Sequence, residues 1–128
     1  MGQPAANQGD RVVAVDTHSV IVPGAGPVPM PHPFTGIIDG GLSNNVNIMG
    51  RPAATAGSTA TNTPPHVPAG GTGFLIPPTN RGTIQIGSPT VKINGKMAAR
   101  NGDVALTCND PVELPVGQVI AFGTVMIG

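Results

Sequence analysis

The sequence predicts an all-β fold: a small, conical, pseudo-threefold β-prism or β-helix-like body built from three repeated strand-hairpin units. Three observations predict it. One seven-residue segment occurs three times, as PAANQGD (Pro4–Asp10), PAATAGS (Pro52–Ser58) and MAARNGD (Met97–Asp103). Such periodicity in a short chain reads as a repeat architecture. The apolar residues fall in short alternating runs, the period of a half-buried strand. Finally, Gly 19 and Pro 15 interrupt nearly every window in which a helix could form. Inside a helix a Gly costs about 1 kcal/mol and a Pro about 3 kcal/mol.

The copies start 48 and then 45 residues apart, which divides the chain into units of about 4–51, 52–96 and 97–128. Each unit opens on a small-residue turn and closes on a hairpin. The Ala5-Ala6, Ala53-Ala54 and Ala98-Ala99 pairs suit close backbone packing near a common axis, where larger side chains would overpack. In unit one, Arg11–Val15 reads as a strand. The stretch from Pro23 to Pro33 carries Pro at 23, 27, 29, 31 and 33 and reads as an extended excursion outside any sheet interior. Val46–Arg51 leads into the second copy of the segment. In unit two, Ser58–Thr63 reads as a polar loop and Gly70–Gly73 as a flexible turn. The latter lacks the Lys and the strand-to-helix context of a phosphate cradle. Residues 83–87 and 90–93 read as a hairpin about Ser88-Pro89. In unit three, Asn109–Gly117 reads as an irregular loop and Val119–Ile127 as the matching hairpin.

Composition narrows the function. Net charge is zero and charged residues make up 9% of the chain, so the clustered Lys and Arg of a nucleic-acid binder are missing. With no Trp, no Tyr and three Phe there is no base-stacking platform. The start, MGQPAANQGD, lacks the basic and apolar regions of a signal peptide, and no apolar run approaches the ~18 residues of a membrane helix. A lone cysteine forms no internal disulfide. The expectation is a chain made in the cytoplasm, as a single domain over 1–128 with no fused effector.

Three histidines and one cysteine remain: His18, His32, His66 and Cys108. Four borderline or soft donors match a closed tetrahedral zinc site. His18 follows Pro4 by 14 residues, His66 follows Pro52 by 14, and Cys108 follows Met97 by 11. Each unit thus sets a ligand-type residue just past its first strand, and symmetry-related positions near an axis converge. His32 enters from the Pro-rich insertion. One structural zinc is expected, with iron the weaker candidate because the thiolate favours zinc. Asp16, close to His18, is read as an outer partner of the ligands.

The three segments resemble the signature of the PAAR-repeat family. Met97 stands for Pro in the third copy, Asn7 and Thr55 stand for Arg in the first two, and Arg100 alone keeps the Arg. GPVPMPHPFTGII resembles the corresponding part of phage-tail-derived injection machines. The resemblance implies a cone seated on the trimeric spike (VgrG-like or a phage-tail equivalent) of a contractile injection system. It implies a metal near the point, held by His18, His32, His66 and Cys108. It also implies that the chain rides the spike as a monomer on a trimer, into the target-cell envelope and out of the producing cell. Any cargo would be carried non-covalently, and no nucleic acid is involved. The role so implied is mechanical and not catalytic. Three other readings stand beside it: a zinc hydrolase, with Glu113 as the sole Glu; a thiol enzyme using Cys108 and His66; and a metal-free surface-binding β-solenoid. Arg51, Arg81, Lys92, Lys96 and Arg100 are candidates to meet the spike.

Overall fold

In the computed structural model, which describes residues 2–128, the three repeated segments fold as the same turn. The carbonyl of the fourth residue accepts from the N–H of the seventh: Asp10 to Asn7 at 3.1 Å, Ser58 to Thr55 at 2.9 Å, Asp103 to Arg100 at 3.1 Å. The side chain of the seventh residue answers by accepting from the N–H of the fourth. Asp10 Oδ2 does so at 2.9 Å, Ser58 Oγ at 2.9 Å and Asp103 Oδ2 at 2.8 Å. Asp and Ser interchange here because both hold an acceptor oxygen at that reach. Between them sits a glycine with φ of +94°, +96° and +89° (Gly9, Gly57, Gly102), the left-handed third position of a type II turn.

The turns interlock about an axis. Ala6 N–H donates to Ala99 O at 2.9 Å, Ala54 to Ala6 O at 3.0 Å, and Ala99 to Ala54 O at 3.0 Å. This is a closed cycle of three backbone bonds. A second cycle runs from Gln8 to Pro52 O, Ala56 to Met97 O and Asn101 to Pro4 O, at 2.9, 2.8 and 2.8 Å. All six alanines of the pairs are buried, as expected where three backbones meet. On one side of the cycle Ala5, Ala53 and Ala98 pack with Ile48, Ile93 and Ile127. On the other, Ala6, Ala54 and Ala99 join Val12, Ala60, Ala105, Ile38, Ile84 and Val119.

Among the described residues there is no helix, so none is long and apolar enough to cross a membrane. The strands are β1 (Gln3–Pro4), β2 (Arg11–Val22), β3 (Gly26–Gly40), β4 (Asn47–Ile48), β5 (Arg51–Pro52), β6 (Thr59–Asn62), β7 (Gly73–Phe74), β8 (Arg81–Ile84), β9 (Lys92–Ile93), β10 (Lys96–Met97), β11 (Val104–Thr107), β12 (Leu114–Ile120) and β13 (Met126–Ile127). Six of them form a ring in the order β12-β11-β8-β6-β3-β2, closed by β12 on β2, with β7 added along β2. Closure leaves no free edge around the ring.

The interior of the ring is narrow. Gly36, Gly82 and Gly117 lie two residues before Ile38, Ile84 and Val119, and each is buried. Phe34 occupies the room left by Gly36 and Gly82. A Cβ on Gly36 would lie 2.7 Å from Phe34 Cε1, and one on Gly82 3.3 Å from Phe34 Cζ. On Gly117 it would meet Thr107 Cγ2 at 2.9 Å.

The structure corrects five local expectations, the first being the irregular loop over Asn109–Gly117, whose last four residues open strand β12 and pair with β11. The Pro-rich stretch lies mostly within β3, paired with β2 from Arg11↔Ile37 to Val22↔Gly26. Pro27, Pro29, Pro31 and Pro33 recur with period two. Their missing N–H groups therefore point away from β2 and their rings lie on the exposed face, and over this stretch β3 is an edge strand. Thr59–Asn62 is strand β6, since Ala60 and Asn62 face inward. Residues 83–93 form no hairpin about Ser88-Pro89: β8 pairs with β6 and β11, and β9 turns back on β10. Unit three does not close its own hairpin either. β13 pairs with β1, Gln3↔Ile127 and Pro4↔Met126, in the register of Ile48↔Arg51 and Ile93↔Lys96. The other two hairpins turn on Met49-Gly50 and Asn94-Gly95, all four residues at positive φ, which is the type I′ geometry. The third is assembled from the two extremes of the chain.

Candidate metal centre

Strand alternation explains how the polar cluster is placed. In β2 the inward residues are Val12, Asp16, His18 and Val20; in β3 they are His32, Phe34, Gly36 and Ile38. Asp16 and His18 share a face because they are two residues apart. His66 arrives from the segment after β6, and Cys108 from the end of β11. All three imidazoles therefore collect inside the ring, beyond Phe34.

The rings form a nearly equilateral triangle, with centroids 5.0 Å apart for His18–His66, 5.3 Å for His32–His66 and 5.6 Å for His18–His32. An ion bound at Zn–N distances of about 2.0–2.1 Å in tetrahedral geometry would set three imidazole centroids about 5 Å apart. Ligand atoms of Asp16, His18, His66 and Cys108 lie within 4.8 Å of one another. His32 stands beside this set through its ring contacts and is not a member of it. Phe34 lies below, 6.2 Å from His66, and Phe74 covers the far side, 5.7 Å from His18 and 5.4 Å from His32.

Outer contacts orient the rings. His18 Nδ1 lies 3.3 Å from Asp110 Oδ1, while Asp110 Oδ2 accepts from Ser19 N–H at 2.8 Å. His32 Nδ1 faces Met30 O at 3.0 Å. A carboxylate or carbonyl on one ring nitrogen is the usual support of a metal-bound histidine. His18 Nε2 is buried with no hydrogen-bond partner among the described residues. An orphaned buried nitrogen is costly, and a cation opposite it removes the cost.

Asp16 is fully buried. Its Oδ1 accepts from Thr107 Oγ1 and from Asn109 Nδ2, the latter at 3.3 Å. Its Oδ2 faces His66 Nε2 at 2.9 Å and Cys108 Sγ at 3.4 Å. None of these partners carries a permanent positive charge. Burial holds His66 below the ordinary imidazole range, an effect opposed by Asp16. Burial, then the charge of Asp16, pushes the Cys108 thiol up to about 11. A group this reluctant to ionise becomes a thiolate at neutral pH when a metal displaces its proton. The residues thus fit a metal: an unpartnered imidazole nitrogen, a buried carboxylate without a cation, and a thiol beside both. Two hollows of about 290 and 350 Å³ flank the cluster, one bordered by His32 and His66, the other by His18 and Cys108.

Of the four residues expected from sequence, the structure gathers His18, His66 and Cys108 tightly and sets the His32 ring alongside. Asp16, expected as an outer partner, lies among the ligand atoms. The roles of Asp110, Thr107, Asn109 and Phe74 had no local signal. His18, expected just past its first strand, lies inside β2, because that strand runs on to Val22 and sets Asp16 and His18 on one face.

No curated protein and no solved structure matches the chain. The family model described as the PAAR motif matches residues 29–113. That span holds the second and third repeated turns together with His32, His66 and Cys108; Asp16 and His18 lie before it. With two copies of the signature turn and most of the imidazole cluster inside one match that covers well over half its length, the chain belongs to the PAAR-motif family.

Proposed function

We propose that this protein is a metal-stabilised tip that caps the trimeric spike of a contractile injection machine and helps it pierce a target envelope. Membership of the PAAR-motif family supports a spike-tip role. The observation that carries the reading is the cyclic backbone of the alanine ring. One chain offers three nearly equivalent hairpins, β4–β5, β9–β10 and β1–β13, around an axis. A trimeric partner ends in the same symmetry, so a single copy can cap three chains. The hairpin end also exposes Met49, Phe122 and Met126 beside Arg51, Lys92 and Lys96, a mixed surface suited to a partner.

At the other end the ion is zinc in this reading. It would be held by His18, His66 and Cys108, with the fourth position drawn from His32 or Asp16. It would tie β2 and β3 to the segments after β6 and β11. The task is to remain folded under load; no chemistry on a substrate is required. The protein is made in the cytoplasm, mounts on the spike and leaves with it, and any cargo attaches non-covalently.

The test is co-expression with a trimeric spike protein of a contractile injection system, with mass measured by light scattering. One copy of this chain per spike trimer is the expected result. A spike trimer that elutes without it at micromolar concentration would sink the proposal.

A further inference from the structure

A bound divalent ion with three neutral imidazoles and one thiolate keeps a net positive charge. Inside this ring that charge would be buried. Asp16 supplies a second negative charge at the same place. It is fully buried, and Thr107 and Asn109 hold its Oδ1. Its Oδ2 is left facing the ligand atoms, 2.9 Å from His66 Nε2 and 3.4 Å from Cys108 Sγ. Buried charges persist when they are paired, and Arg and Lys are absent from the contacts of this carboxylate.

Charge then decides which ion the centre accepts. Thiolate and imidazole together suit both Zn(II) and Cu(I). One thiolate neutralises a monovalent ion. Thiolate and carboxylate together neutralise a divalent one and leave a monovalent ion with excess negative charge. We infer that Asp16 is the specificity-determining residue of the metal centre, selecting a divalent cation over Cu(I). This inference rests on the metal-site reading above, and it concerns a residue outside the His and Cys set expected from sequence.

The test loads metal-free full-length protein with Zn(II) alone, Cu(I) alone, and both in competition with chelators of known affinity, reading bound metal by elemental analysis. Wild type should take one zinc and prefer it to Cu(I). Asp16→Asn, close to isosteric, should lose about 10–100-fold in zinc affinity while its Cu(I) affinity holds or rises. Loss of both ions to the same degree in Asp16→Asn, or of neither, would overturn the inference. Preference of wild type for Cu(I) would overturn it without any variant, should Asp16→Asn fail to fold. If wild type binds neither ion, the metal-site reading itself has failed, a result distinct from a lost preference.

Discussion

The fourth and seventh residues of each repeated turn hold one another, so the motif is a local structure before it is a signature. Asp103 also accepts from Arg100 Nε at 3.1 Å. Asp103→Ala should therefore destabilise by about 0.5–2 kcal/mol, the usual cost of losing a capping acceptor, whereas Asp103→Ser should recover most of it because Ser58 does the same work in unit two. Chemical denaturation of the three proteins checks this. The cluster makes its own prediction about pH, for the metal-free chain. The His66 pKa is lowered from 6.5 on folding, so the unfolded chain binds more protons as pH falls through that value, and stability falls with it. The Cys108 pKa is raised from 9.0 to about 11. The folded chain keeps that proton longer, and stability falls as pH rises across that interval. Thermal melts in chelator should be most stable between the two windows; a melting temperature flat across both would contradict the assignment.

The strands show what was legible in the sequence and what was not. The turns could be read because their determinants, a positive-φ glycine and a short acceptor side chain, lie within seven residues. The alanine pairs could be read as axial because nothing larger fits where three backbones meet. The partner of β13 could not be read locally, because it lies at the opposite end of the chain. The proline stretch misled for a physical reason: Pro is excluded from a ladder on one side only, and period two puts every missing donor on the free side. Gly36 and Gly82 were visible as letters, but their shared purpose depends on Phe34, which only the closed ring brings against both; Gly117 leaves its room to Thr107 and Val12. Phe34→Ala should cost about 3–5 kcal/mol, as for a deeply buried aromatic. Gly36→Ala should cost about 1–3 kcal/mol through overpacking. Equilibrium unfolding of each variant tests the pair.

Across the whole molecule, two devices hold the ends of one axis. At the hairpin end a backbone cycle surrounds the alanines and needs no ion. At the other end a polar cluster stands where an apolar core would otherwise be, and in the proposed reading its cohesion depends on a bound ion. Structural zinc in small domains contributes an apparent ~10–16 kcal/mol at neutral pH, comparable to the whole stability of a typical domain at ~5–15 kcal/mol. Stripping the metal should therefore lower the melting temperature sharply and act unevenly. Amide exchange should accelerate first in the distal parts of β2 and β3 and around Cys108, while Ala6, Ala54 and Ala99 stay protected. Uniform acceleration would argue against two separable devices.

The pairing of Gln3–Pro4 with Met126–Ile127 has a consequence for biosynthesis. On the ribosome β1 waits, its ladder groups exposed, until Met126 and Ile127 have emerged. Two corners of the triangle can close earlier, as they emerge, but the third buckles only once β13 is free to pair. Closure of this body therefore follows the synthesis of all its other strands, and a nascent chain stalled before Met126 should remain open to protease.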